Sequence, residues 1–385
     1  MVVTKNSCGF ILCVWLLFGT QGHAQVLPED RVDSLYHIYD GGGITVQGPS
    51  VLVRKSVADT VSVSANYYVD SISSASVDVV TLGASRYAEE RTQLSGSIEY
   101  LYENSILSYA YTNSSENDYE AVTSNLSIAQ EMFGGLTTVA LGFKSGNNVV
   151  KNSTNPSFED TTDIKGYRLS LSQVITKNIL LGSAYEIITD SGYLNNPYRQ
   201  VRYIDTSQAL GYSFEPEVYP QSHTSNAVGF NIKYFLPYRA ACSGGYRYYI
   251  DSWDITADTI DVSYVHPLNE NWLLDFSYRF YSQTSASFYN DLFPYQTAQN
   301  YLARDKELST YSSHSIGLGV TYKLGRDQLV IVEKGSLNLY LTAFSFQYDD
   351  FRDVPAGRDN NLMGGTEPMY DFNAYVIRSY LSIWF

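Results

Sequence analysis

The chain has 385 residues, with 25 Lys and Arg against 40 Asp and Glu and a formal net charge of −15. It contains no basic cluster, which argues against nucleic acid as a partner. The 35 Tyr and 17 Phe beside only 11 Pro suit strands that meet a membrane boundary, where a tyrosine ring is apolar and its hydroxyl wet.

The first 24 residues read as a cleaved export signal. Lys5 supplies the positive end, Cys8 to Phe18 form a short apolar run, and Gly22-His23-Ala24 offers a small-x-small cleavage site before Gln25. The run falls short of the roughly 18 residues that a spanning helix needs. Cys13 lies inside it and Cys8 at its start, neither in a lipoprotein cleavage context. Cleavage leaves Cys242 as the mature chain's one cysteine, so no internal disulfide is expected. Residues 25–385 are then expected to form one domain.

After residue 24 no apolar stretch approaches the length of a spanning helix. Period-two alternation recurs instead, as in Val61-Ser-Val-Ser-Ala-Asn-Tyr-Tyr-Val69. Val228, Phe230, Ile232 and Tyr234 alternate with Gly229, Asn231 and Lys233, and Trp272, Leu274, Phe276, Tyr278 and Phe280 share one face of another segment. Ile316, Leu318, Val320 and Tyr322 do the same. Each segment therefore has one apolar and one polar face. A soluble sandwich alternates too, but three features favour a membrane barrel. The apolar faces run for about 9–11 residues, the length of a tilted crossing strand. They end in aromatic residues, as an interfacial girdle requires. Short and long connections also alternate.

The short connections fall at 58–60, 103–105, 134–135, 176–178, 237–238 and 269–271, with 325–335 a longer seventh and Gly41-Gly42-Gly43 a short external turn. The long ones fall at 70–92, 112–120, 146–164, 188–224, 251–258, 284–308 and 348–372. Short periplasmic turns and long external loops are the asymmetry of bacterial outer-membrane barrels. Fifteen connections predict an all-β, transmembrane antiparallel barrel of sixteen strands, from about 32–40 to 373–385, with both termini in the periplasm. Fourteen is the alternative count, since the first strand and the apolar patch Leu329-Val-Ile-Val332 are the weak points. The chain stops at Phe385, with Tyr375, Ile377, Leu381 and Ile383 on the same face and Ser379 interrupting them. This ending resembles the signal read by the bacterial barrel-assembly machinery.

The segments Tyr39 to Val57, Val61 to Asp70 and Asn113-Ser-Ser-Glu-Asn-Asp-Tyr119 resemble proteobacterial proteins grouped as domain of unknown function 3570, over nearly all the mature chain. The resemblance implies an outer-membrane barrel and supplies no activity or catalytic residues. Genes of this group lie near those of a small lipoprotein, a thioredoxin-like protein and a flavin transferase, which implies a periplasmic or lipoprotein redox partner.

The polar parity of the strands places Glu99, Arg168, Glu186, Lys233, Arg247, Asp261, Asp275, Arg279 and Arg378 on the interior face. A mixed-charge lining with many Ser and Tyr fits a porin-like channel or transporter for small hydrophilic solutes, and 188–224 is the best plug or constriction. The alternative is a non-transporting envelope scaffold that docks the redox partner; a rim enzyme comes third. His314, between Ser313 and Ser315, invites a Ser–His hydrolase reading. It shares parity with Ile316 and Leu318, however, so an outward interfacial residue is the stronger expectation. Cys242 has the parity of Tyr246 and Tyr248 and is expected to face lipid as an inert residue. No cofactor pattern is present. The seven long connections hold 26 acidic and 9 basic residues, so the net charge belongs to the external face, where divalent cations can bridge it to lipopolysaccharide. Asp251, Asp254 and Asp258, and Glu159, Asp160 and Asp163, are weak cation-site candidates without a calcium-loop spacing.

Overall fold

A computed structural model describes residues 26–74, 87–325 and 334–385; the expected export signal and the patch 329–332 lie outside them. The strands are β1 (Arg31–Gly41), β2 (Ile44–Ala58), β3 (Val61–Ser74), β4 (Tyr87–Tyr102), β5 (Ser105–Ser115) and β6 (Tyr119–Met132). They continue as β7 (Thr137–Lys151), β8 (Glu159–Thr176), β9 (Ile179–Gly192), β10 (Gln200–Ile204), β11 (Tyr212–Pro216) and β12 (Ser222–Phe235). The last six are β13 (Ala241–Asp251), β14 (Thr256–Pro267), β15 (Trp272–Gln283), β16 (Tyr311–Leu324), β17 (Lys334–Arg352) and β18 (Met369–Trp384). One short helix, α1 (Val354–Asp359), precedes β18.

All strands but β10 and β11 close into one antiparallel barrel of sixteen, sealed by β1 against β18 from Arg31↔Trp384 to Gly41↔Ala374. Closure satisfies every strand edge, which a spanning sheet in lipid requires. β10 and β11 form a separate hairpin in the longest connection.

The turns follow from local chemistry. Gly42 and Gly43 have φ of 60° and 77°, the left-handed pair of a two-residue hairpin that glycine adopts without strain. Asp59-Thr60, Glu103-Asn104 and Lys177-Asn178 close the opposite end in two residues each. That end carries both termini and the short turns, and is the periplasmic one by the asymmetry of such barrels.

The alternation resolves into two faces. Leu94, Leu141, Phe230, Ile260 and Leu318 are exposed on the outside, with Leu318 at 57%. Hydrophobic side chains left bare on every strand of a closed sheet define a lipid-facing belt.

Two connections expected to be long are not. β5 reaches Ser115 and β6 restarts at Tyr119, so 112–120 shrinks to three residues; 251–258 likewise shrinks to Ser252–Ile255 between β13 and β14. The polar residues Asn113 to Ser115 look like loop in sequence, yet their backbones keep pairing above the belt, Thr112↔Thr123 continuing to Ser115↔Glu120. Strands of up to 19 residues therefore overshoot the membrane by several residues at the external end. Short and long connections do not alternate strictly as a result.

Candidate functional site

The interior face and its external mouth are where this fold can act on a solute. On β2 to β5 the interior carries small hydroxyl and amide side chains in cross-strand ladders. Ser64 meets Ser97 at 2.7 Å, Thr112 donates to Ser95 at 3.0 Å, and Asn66 donates to Ser50 at 3.1 Å. Such ladders satisfy their own polar groups while projecting little volume into the barrel.

The charged residues take positions along this face. Arg168 donates to Glu186 at 3.1 Å across the β8–β9 pair. Asp261 and Arg279 are direct partners in the β14–β15 register. Arg247 stands over the Tyr249 ring at 5.7 Å, and Arg378 over the Tyr340 ring at 5.7 Å, its strand neighbour on the other side being His37. Asp275 faces Gly319, Lys233 lies between Leu180 and Ser243, and Glu99 between Ser62 and Ser108.

The structure adds two histidine clusters that strand parity alone does not assemble. His37, buried, has Nε2 at 2.8 Å from Asp70 Oδ1 and 3.1 Å from the Tyr68 hydroxyl. His223 sits between Asp190 at 3.1 Å and Asp251 at 2.9 Å, its ring 4.4 Å from that of Trp253. This second cluster lies above the lipid belt, which on β12 is marked by Phe230, Ile232 and Tyr234. Burial alone would lower the His223 pKa, but the hydrogen bonds and charges of Asp190 and Asp251 outweigh it and raise it to about 9.

Over the mouth, residues 193–221, 284–310 and 353–368 pack into a cap. Its largest apolar cluster joins Tyr219, Trp253, Ile255 and Phe288; a second stacks Tyr348, Phe351 and Tyr370 on the inner rim. Arg202, 0% exposed, donates to Asp291 at 2.7 Å and to Glu367, tying all three segments together. Arg304 reaches the other Asp291 oxygen at 2.9 Å, and Arg199 pairs with Asp305. Buried guanidinium–carboxylate pairs of this kind need every partner in place, because an uncompensated charge inside is costly.

The cap crosses the mouth. On one side Tyr198 donates to Asp118 at 2.8 Å, in the β5–β6 turn, and receives the Ser153 amide. On the other, Tyr289 donates to the Asp350 carbonyl at 3.0 Å and packs beside Tyr311 and Tyr348. β6 and β17 stand seven strands apart in the ring of sixteen, so these anchors lie on nearly opposite walls.

The aspartates 251, 254 and 258 do not converge on one cation position. Asp251 spends its oxygens on His223, Tyr249 and the Trp253 and Ile255 amides. Asp254 is exposed at φ 70°, and Asp258 accepts from Tyr246 on the outer wall. Glu159, Asp160 and Asp163 are exposed along β8, with Asp163 accepting from Asn147. Among the described residues the carboxylates that do converge are Glu89, Glu116 and Asp118, with oxygens within 4.8 Å of one another. Arg91 stands 3.9 Å from Glu116 and 3.9 Å from Asp70, which places a cation beside the group. Sequence reasoning misses this trio because Glu89 comes from β4 and Glu116 and Asp118 from the β5–β6 turn, which only the β4–β5 pairing brings together.

On the outer wall, His314 Nδ1 is hydrogen-bonded to the Tyr278 hydroxyl at 2.9 Å and its ring leans on Phe280. Neither Ser313 nor Ser315 is bonded to it; both have the opposite parity and lie on the interior face. Cys242 is partly exposed beside Tyr234 and Tyr264. Tyr375, Ile377, Leu381, Ile383 and Phe385 run down the outer face of β18, where Lys55 covers the Phe385 ring at 4.7 Å.

A closed sixteen-stranded ring with a bare apolar belt, polar interior and capped external mouth defines a transmembrane β-barrel of the outer-membrane class. Residues 152–374, more than half of the chain, match the family described as "Protein of unknown function (DUF3570)", and the chain belongs to that family. The match begins beyond the segments at 39–70 and 113–119 in which the resemblance first shows. No curated protein sequence matches the chain. Among solved structures it is similar to a bacterial polysaccharide outer membrane secretin, with TM-score 0.49 and 9% identity over 94% of this chain and 100% of that one. It is also similar to in-vitro folded OmpT, an outer membrane protein of Vibrio cholerae (TM-score 0.43, 10% identity, 93% and 100% covered). The siderophore receptor PirA from Acinetobacter baumannii gives TM-score 0.43 and 10% identity, over 91% of this chain and 57% of that one.

Proposed function

We propose that this protein is a capped, porin-like passage for small hydrophilic solutes across the outer membrane. The carrying observation is the cap anchored on nearly opposite walls, by Tyr198–Asp118 and Tyr289–Asp350, over an interior of hydroxyl ladders and charged side chains. A ring of sixteen strands is wide enough to leave an aqueous channel when side chains alone line it. A folded cap over such an opening restricts what enters by size and charge. Arg168, Lys233, Asp275, Arg279 and Arg378 are then charges that a solute passes inside the barrel, joined by Glu99, Glu186, Arg247 and Asp261.

Planar-bilayer recording tests this on the full mature chain and on a variant with residues 194–219 replaced by a short Gly-Ser turn. The expected result is a small, steady conductance for the full chain and a several-fold larger one for the variant. Absence of conductance from both, with heat-modifiable gel mobility showing intact barrels, would overturn the reading.

A further inference from the structure

The outer wall is not uniform. Between β16, β17 and β18 it sinks into a shallow, open depression of about 460 Å³. Its cause is a single small side chain. In the sheet register Ile316, Ala343 and Tyr375 are neighbours, so the methyl group of Ala343 lies between two large residues. Elsewhere on β17 the same face carries Leu337, Leu339 and Leu341, all exposed.

The depression lies at a boundary that three strands mark independently. Going outward, the exterior residues of β16 change from Leu318 and Ile316 to His314 and Ser312. Those of β17 change from Leu341 and Ala343 to Ser345 and Gln347, and those of β18 from Ile377 and Tyr375 to Asn373 and Asp371. His314 is paired with Ser345, and Ser345 with Asn373, so the change from apolar to polar falls at one level. That is the depth at which lipid tails give way to headgroups.

The polar end also carries charge. Asp40, opposite Tyr375 in the β1–β18 register, lines the depression, and its carboxylate accepts from the Thr45 hydroxyl at 2.9 Å. Among the described residues neither Lys nor Arg lines it. A polyanionic headgroup such as that of lipid A finds no cation here and meets a carboxylate that only a divalent ion could bridge to it. A headgroup with both an ammonium and a phosphate finds complementary partners, and a carboxylate at this depth is otherwise expensive.

We propose that this depression is a binding site for one zwitterionic glycerophospholipid. An acyl chain lies over Ala343 between Ile316 and Tyr375, the ammonium is beside Asp40, and the phosphate and ester oxygens accept from His314, Ser345 and Asn373. The site is on the lipid-facing wall, so it is independent of any passage through the barrel.

Native mass spectrometry of the purified full-length mature protein tests this, with dioleoyl phosphatidylethanolamine or dioleoyl phosphatidylglycerol added after delipidation. The parent should retain one phosphatidylethanolamine in preference to phosphatidylglycerol. Ala343→Phe, which fills the depression on a face that tolerates large residues, should abolish retention, and Asp40→Asn should lower the preference several-fold. Heat-modifiable mobility identifies folded barrels, and Ala343→Leu replaces Ala343→Phe if the latter fails to assemble. Equal retention by the filled variant, or a preference for the anionic lipid, would overturn the proposal. So would loss of a dimer in place of a lipid, which would assign the depression to a second copy of the chain.

Discussion

Arg202 illustrates what single residues contribute to the cap. Its guanidinium is entirely buried and serves Asp291 and Glu367, which lie 89 and 165 positions away. Arg202→Met keeps much of the volume and leaves Glu367 without its cation, for which a loss on the order of 3–5 kcal/mol is expected. The loss should be local: hydrogen exchange should rise in 193–221 and 353–368 while the barrel strands stay protected. His223 gives the cap a pH dependence. Its folded pKa of about 9 exceeds the ordinary value of 6.5, so the charged imidazolium is the form that the native state favours. The stabilisation is full below about pH 6.5 and is lost as the pH rises through about 9, and it amounts to roughly 3 kcal/mol at most. Near-ultraviolet circular dichroism, reporting on Trp253 against the His223 ring, should show the cap loosening between pH 7 and 10. A His223→Asn variant should show no such transition. The partners of Arg202 cannot be read from sequence, because residues in irregular loops carry no periodicity, and His223, Asp190 and Asp251 lie at external strand ends where alternation has faded. The contact of Arg168 with Glu186 is of another kind: strand parity and the two-residue turn at Lys177-Asn178 set it locally.

At the scale of elements, the sequence is most informative where a turn is tight. The breaks at Gly42-Gly43, Asp59-Thr60, Glu103-Asn104 and Lys177-Asn178 are legible because each needs glycine or a polar residue between two alternating runs. Taken with the other connections they lead to the count of sixteen. The external strand ends are not legible. Once a strand rises above the belt, both its faces meet water or polar cap residues, and alternation fades although the hydrogen-bond ladder continues. The first strand pair shows a further constraint that pattern alone does not expose. On β2 the ladder to β3 skips Gly48-Pro49, passing from Gln47↔Ser71 to Ser50↔Tyr68. A Cβ on Gly48 would lie 1.8 Å from the Val69 carbonyl oxygen, a backbone atom that cannot turn aside. Gly48→Ala must therefore push β2 from β3, at a cost of about 1–3 kcal/mol. The temperature at which the folded band converts to the unfolded one on gels should fall, whereas Gly96→Ala, where the nearest atom is 4.0 Å away, should leave it unchanged.

For the whole molecule, the distribution of charge decides what a passage would select. The rim is acidic: Glu120, Glu159, Asp160, Asp163, Asp254, Asp349, Asp359 and Asp371 are all exposed. The proposed interior set of Glu99, Glu186, Asp261 and Asp275 with Arg168, Lys233, Arg247, Arg279 and Arg378 is nearly balanced and slightly basic. The two sets respond differently to salt. Exposed rim charges act over a Debye length of about 30 Å at 0.01 M but only about 3 Å at 1 M, whereas charges enclosed by the wall are screened far less. In a passage of this design the rim should draw cations to the mouth at low ionic strength, and the interior should govern at high ionic strength. Reversal potentials across a fixed KCl gradient should thus show cation preference near 0.01 M that shrinks, or turns to weak anion preference, near 1 M. Neutralising Asp349, Asp359 and Asp371 together to Asn should remove part of the low-salt preference and leave the high-salt value alone. Arg247→Gln with Arg279→Gln should do the opposite. If the rim variant shifted both regimes equally, the rim and the interior would not be acting as separate filters, and the cap would have to be the sole selective element.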